Sequence, residues 1–193
     1  DCMRTFSAVE ESPLPIVAAV NGYAMGGGCE LALACDVVLA ADRAVFAMPE
    51  TALGFFPDVG GSHFLPRLPG AFGRWLGLTG ARVDGEEATA LGIATHFVPH
   101  ARLEALLDAL SRRGGETVAA VLDRYAEAPA VPRLEAIAAD CAATFGAAAD
   151  REALFTMLAR HGGQFAREAL AALERVSPHS VDVTLALFAA GQW

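Results

Sequence analysis

Apolar positions follow two rhythms along this chain. Up to about residue 98 they gather in short, β-branched runs. Beyond that point they recur at helical spacing. The run IVAAV at 16–20, closed by Asn21-Gly22, predicts a buried strand. Residues 27–35 predict a helix, with Leu31, Leu33, Ala34 and Cys35 apolar. Residues 37–40 and 45–47 predict two further strands. MPETALGFFPDVGG at 48–61 is rich in Pro and Gly and breaks both rhythms. A helical pattern resumes near residue 71. Asp84-Gly85-Glu86-Glu87 reads as a capping box opening a short helix that Gly92 ends. Residues 93–98 predict one more strand, and 101–112 another helix. Gly114-Gly115, Pro129 and Pro132 mark 114–133 as a looser connection. Residues 134–176 are Ala-rich and mostly helical, and Ser177-Pro178 restarts a final helix. The fold class is therefore α/β, with residues 1–98 as the mixed core and 99–193 as a helical C-terminal region.

Composition narrows this picture. The chain has 193 residues, 54% of them hydrophobic, which is enough for a sizeable core in one large domain or a domain with an appendage. Its 14 basic residues face 23 acidic ones, for a net charge of −9. That balance argues against nucleic acid as a partner. Cys2, Cys29, Cys35 and Cys141 form no CxxC pair, so neither a zinc site nor a disulfide framework is expected, and no metal. No apolar run reaches the length of a membrane span and no signal peptide is visible. A cytoplasmic setting is the expectation. The chain opens at Asp1 without an initiator Met, which reads as a fragment or a processed chain.

Three stretches carry chemistry. Gly26, Gly27 and Gly28 stand between a strand and a helix. Such glycines serve a tight turn, or they bare the first N–H groups of a helix to an oxyanion or phosphate. No Gly-Lys-Ser/Thr follows, and G-x-G-x-x-G is not matched. Glu30 either faces water at the helix start or is buried with a raised pKa. Glu50 and Asp58 flank Phe55-Phe56. They are either a general acid/base pair or two solvated loop carboxylates, and eight intervening steps leave both open. The five histidines are scattered and suggest no triad. Phe72 and Trp75 read as core.

The longer motifs are identifiable. VNGYAMGGGCELALACD, FAMPETALGFFPDVGG, FLPRL, LTG and GIATHFV resemble the crotonase (enoyl-CoA hydratase/isomerase) superfamily. FAMPET, GFFPDVGG, GIATHFV and the long stretch before SPHSVDVTLALFAAG are most similar to its 3-hydroxyisobutyryl-CoA hydrolase branch. The resemblance implies a spiral of β-β-α units followed by helices, with the N-terminal part of the spiral missing. It implies an acyl-CoA substrate and no cofactor beyond that CoA. Gly27 matches the position whose N–H donates to the thioester oxygen, with Gly26 and Met25 beside it as substrate-binding residues. Glu50 and Asp58 match the catalytic acids of the hydrolase branch. Glu30 matches a catalytic glutamate of the hydratases, at a place that is usually non-acidic in the hydrolases. A thioester hydrolase of valine catabolism is the leading expectation. An enoyl-CoA hydratase/isomerase is the alternative, and an inactive remnant serving as a binding or oligomerisation module is the third. The resemblance also places a first oxyanion donor upstream of Asp1 and further chain beyond Trp193. These 193 residues alone are therefore expected to expose apolar surface, to turn over poorly and to associate, with a homo-oligomer among the outcomes.

Overall fold

In the computed structural model, residues 2–190 are described, with side chains from residue 4 onward. The β-branched runs do form strands. Helix α1 (Cys2–Glu10) precedes β1 (Val17–Val20), β2 (Tyr23–Met25), α2 (Gly27–Leu33), β3 (Val37–Ala40) and β4 (Val45–Ala47). Then follow a 3₁₀ turn over Glu50–Leu53, α3 (Gly61–Phe64), α4 (Phe72–Thr79), β5 (Val83–Asp84), α5 (Gly85–Ala90) and β6 (His96–Phe97). The remainder is helical: α6 (His100–Ser111), α7 (Val118–Leu122), α8 (Pro132–Cys141), α9 (Arg151–His161), α10 (Gln164–Leu173) and α11 (Pro178–Ala190). A π-helical turn over Ala142–Gly146 joins α8 towards α9.

The chain divides into two compact units. One comprises residues 1–24, 31–46 and 83–131; the other comprises 25–30, 47–82 and 132–193. In the first unit β1, β3 and β6 form a parallel sheet, with Val17 opposite Val37 and Leu39 opposite His96. The Asp36 carboxylate accepts a bond from the Ile16 N–H at 2.8 Å, which pins the register where β1 begins. Leu39, Val98, Leu103, Leu106, Val121 and Leu122 close over one face as a single buried cluster. The box at Asp84 forms in full. Its carboxylate accepts from the Glu87 N–H at 2.9 Å, and Glu87 accepts from the Asp84 N–H at 3.1 Å. Within 93–98 only His96–Phe97 is strand. The N–H groups of Ile93 and Ala94 both donate to the Ala88 carbonyl, so these residues close α5 and are not free to join the sheet. The connection at 114–133 contains a helix that the sequence pattern does not predict. Thr117 caps it by accepting from the Ala120 N–H.

The second unit packs helices around aromatic residues. Trp75 lies edge-on to Phe72 with centroids 6.1 Å apart, and Phe165 links Trp75 to Phe145. Phe72 and Trp75 are both buried core, as their spacing predicts. Cys29 and Cys141 are buried and Cys35 is half-buried, all as free thiols; the Cys2 side chain lies outside the described residues. Tyr23 in the first unit and Leu53 in the second stand exposed. No helix among the described residues is long and apolar enough to cross a membrane.

Gly73 sits at the tightest contact in the second unit. A Cβ there would lie 1.7 Å from the Leu65 carbonyl oxygen. Gly73→Ala is expected to lower stability by about 3 kcal/mol, measured by urea unfolding. Gly115→Ala, where an added Cβ meets nothing within 4 Å, is the control and should change stability by less than about 0.5 kcal/mol.

Candidate active site

Strand β2 ends at Met25 and the chain must reverse at once to start α2. Gly26 makes that reversal with φ of 52°, in the left-handed region. Its N–H donates to the Ala47 carbonyl at 3.0 Å. Its carbonyl accepts from the N–H groups of Cys29 (2.8 Å) and Glu30 (3.1 Å), which begins the helix. A second constraint adds to this: a Cβ on Gly26 would stand 2.6 Å from Glu50 Oε1, so that carboxyl would have to move. The N–H of Gly26 is thus committed. Gly27 and Gly28 are exposed at the helix start, where their N–H groups have no partner within the helix.

Glu30 points inward from the first turn of α2 and is only 3% exposed. Neither of its carboxyl oxygens has a hydrogen-bond partner. One oxygen lies 4.0 Å from where a Gly27 Cβ would be. The other lies 3.6 Å from the corresponding point on Gly61. Met48 Cε and Pro57 Cβ crowd that same point on Gly61, at 3.4 and 2.7 Å. Met48 and Pro57 thus converge with the Glu30 carboxyl on Gly61, as an apolar bracket around that carboxyl's edge. Burial, then the charges of Asp58 and Glu50, push its pKa up to about 8.

Glu50 opens the 3₁₀ turn after β4 and is 8% exposed, with Oε2 unpartnered. Burial raises its pKa, a hydrogen bond from its own backbone N–H offsets part of that, and Asp58 adds to the rise. The eight-residue spacing to Asp58 is curled rather than extended. The Phe55 N–H donates back to the Glu50 carbonyl at 3.0 Å, and Gly54 closes the turn at φ 79°. Asp58 is half-buried. The Cys29 thiol, beneath the same turn, is pushed up to about 12 by burial and by Glu30 and Glu50.

The structure therefore gathers Glu30, Glu50 and Asp58 around the Gly26–Gly27 turn, with Met25 half-buried at its edge. Sequence reasoning missed Met48, Pro57 and Gly61, which form the bracket. The paired glycines after Asp58 were the one signal available for them. Among the described residues no His, Cys, Asp and Glu cluster has the makings of a metal site. The chemistry available is that of a neutral carboxyl beside ionisable ones, facing a helix start with open N–H groups.

The chain matches the model of the family described as Enoyl-CoA hydratase/isomerase over residues 3–193. It is 52% identical over 118 residues to the "Probable 3-hydroxyisobutyryl-CoA hydrolase 2" of Arabidopsis thaliana, covering 60% of this chain and 31% of that protein. It is 39% identical over 187 residues to the "3-hydroxyisobutyryl-CoA hydrolase, mitochondrial" of Homo sapiens, covering 93% of this chain and 48% of that one. The chain thus spans 31% to 48% of the length of these curated relatives. Among solved structures, a carnitinyl-CoA dehydratase from Mycobacterium thermoresistibile aligns with a TM-score of 0.90 at 30% identity, over 100% of this chain and 56% of that one. An enoyl-CoA hydratase from Rhodobacter sphaeroides aligns with a TM-score of 0.86 at 32% identity, over 98% of this chain and 53% of that one.

The raised Glu30 pKa makes a stability prediction whose sign can be worked out. Between the ordinary value of 4.5 and about 8, the folded state keeps a proton that the unfolded state has lost. Stability therefore falls as pH rises through that window. Glu30→Gln, which cannot ionise, should remove this slope. Its melting temperature should gain on wild type as pH rises from about 4.5 to about 8, and the gain should level off above. Thermal melts of both proteins across pH test this.

Proposed function

The chain belongs to the enoyl-CoA hydratase/isomerase family, and on that premise we propose that it is the core of an acyl-CoA thioester hydrolase, acting on a short branched 3-hydroxyacyl-CoA of the 3-hydroxyisobutyryl-CoA type in valine breakdown. The observation that carries this reading is the buried Glu50 carboxyl, set against the Gly26–Gly27 turn and close enough to the half-buried Asp58 to feel its charge. The names of the relatives at 39% and 52% identity support it. In this reading the Glu50 carboxylate attacks the thioester carbonyl carbon, or takes a proton from the water that does. The carbonyl π electrons move onto oxygen, and the Gly27 N–H donates to the resulting oxyanion; one such donor is worth about 10²–10³ in rate. The C–S bond then breaks, and the CoA thiolate takes up the proton that water lost; where Glu50 itself attacked, that water hydrolyses the acyl–Glu50 anhydride, releasing the acid and restoring the Glu50 carboxylate. Asp58 orients the attacking water. CoA arrives as part of the substrate, and the reading needs no metal and no other cofactor.

A specific observation favours a second reading, enoyl-CoA hydration. Glu30 is buried and unpartnered, and it borders the same glycine turn as Glu50, near enough for the two charges to interact. Two glutamates of this kind hold a water and move its proton across a double bond.

The two readings part in one experiment on the full-length protein. Thiol release from 3-hydroxyisobutyryl-CoA and loss of enoyl absorbance from crotonyl-CoA are measured for wild type, Glu50→Gln and Glu30→Gln. The hydrolase reading expects thiol release, a loss of about 10³-fold in Glu50→Gln, and Glu30→Gln within about tenfold of wild type. Collapse of crotonyl-CoA turnover in Glu30→Gln, without thiol release by wild type, would replace it with the hydratase. No turnover of either substrate would sink both.

A further inference from the structure

Asp58 poses a physical problem. Its charge lies close enough to Glu30 and Glu50 to raise both, so repulsion from the Glu50 carboxylate, joined by Glu30 only once that group ionises, drives it away. No hydrogen bond among the described residues holds its carboxylate in place. The backbone must therefore do so.

The backbone on either side of Asp58 is clamped. Upstream, Pro57 is buried, and its ring fixes its own φ. Downstream, the Gly60 carbonyl accepts from the N–H groups of His63 (2.8 Å) and Phe64 (3.0 Å), which anchors the first turn of α3. Pro57, Met48 and Glu30 crowd Gly61 so closely that a Cβ there would meet Pro57 Cβ at 2.7 Å. Its N–H closes a tight turn onto the Asp58 carbonyl at 2.6 Å. The reversal between these anchors falls on Val59 and Gly60. Val59 takes φ of 38° and is the one non-glycine residue with positive φ among those described. A β-branched side chain in the left-handed region is a true outlier, of the kind that persists only where surroundings impose it.

We propose that Val59 is a positioning residue, whose strained left-handed turn holds the Asp58 carboxylate against repulsion from Glu50. The proposal rests on the hydrolase reading for what Asp58 does, but not for where Asp58 is held. A flexible residue at 59 lets Asp58 swing toward water. A stiffer residue that tolerates positive φ keeps it in place and removes the strain. Glycine is the first kind and asparagine the second.

Val59→Gly and Val59→Asn in the full-length protein therefore give opposite results. Val59→Gly should melt no lower than wild type yet lose about 10²-fold in kcat, with KM for the acyl-CoA within about twofold. Val59→Asn should melt about 3 °C higher and keep kcat within about threefold. A readout independent of turnover accompanies these: carboxyl carbon-13 NMR of Glu30, whose titration near 8 should move down in Val59→Gly as Asp58 departs and stay put in Val59→Asn. Wild-type kcat together with an unmoved Glu30 titration in Val59→Gly would overturn the proposal. So would a Val59→Gly protein that melts well below wild type or fails to fold, since Val59 would then be needed for packing and not for the turn. Should wild type release no thiol from any acyl-CoA, the functional reading fails alone, and the melts and the Glu30 titration still decide the role of Val59.

Discussion

Three carboxyl groups converge on one glycine turn, and most of what is distinctive in this molecule follows from the cost of that convergence. Carboxylates taken from water and set beside one another cannot all stay charged. Glu30, with no hydrogen-bond partner and 3% exposure, absorbs most of the conflict by holding its proton to about pH 8. Gly26 takes a left-handed φ of 52° that favours glycine, and a Cβ there would displace the Glu50 carboxyl. Gly61 exists as glycine because the bracket around Glu30 leaves no room.

The surrounding packing explains how such a site survives. Thr51, next to Glu50, is fully buried, and its hydroxyl donates to the Leu78 carbonyl at 3.2 Å. The Ser177 N–H donates to the Thr51 carbonyl at 3.1 Å, tying the acidic turn to the residue that precedes α11. A Cβ on Gly80 would stand 3.3 Å from the Pro49 Cα, so the end of α4 presses on the same turn. The unpartnered carboxyl oxygens of Glu30 and Glu50 and the positive φ of Val59 fall in this region. That combination is what functional sites show when a stable frame supports a strained centre.

Family membership sharpens the chemical question more than it answers it. Hydration and thioester hydrolysis both begin with an acyl-CoA carbonyl held by backbone N–H donors, and both need a carboxylate and a water. What separates them is which carboxyl group carries the proton and where the water sits. This chain carries acids for both arrangements around one glycine turn. The protonation of Glu30 bears directly on that choice. A neutral carboxyl donates a hydrogen bond and cannot take a proton from water.

Much of this was legible without coordinates. The strands at 37–40 and 45–47, the capping box at Asp84 and the restart at Pro178 depend on local rules of periodicity and capping, so the linear pattern determined them. The MGGGCELAL and FAMPETALGFFPDVGG motifs likewise singled out Gly26, Gly27, Glu30, Glu50 and Asp58. Whether those acids met was beyond the sequence. Eight residues permit an extended or a curled path, and the curl came from the Phe55-to-Glu50 hydrogen bond and the left-handed Gly54. The same holds for 93–98, where helix closure onto Ala88 outcompeted the sheet. The burial of Glu30 and the strained turn at Val59 also belong to tertiary structure alone. Each is set by what packs against it from distant parts of the chain, and a single sequence records only the residue and not the neighbours that constrain it.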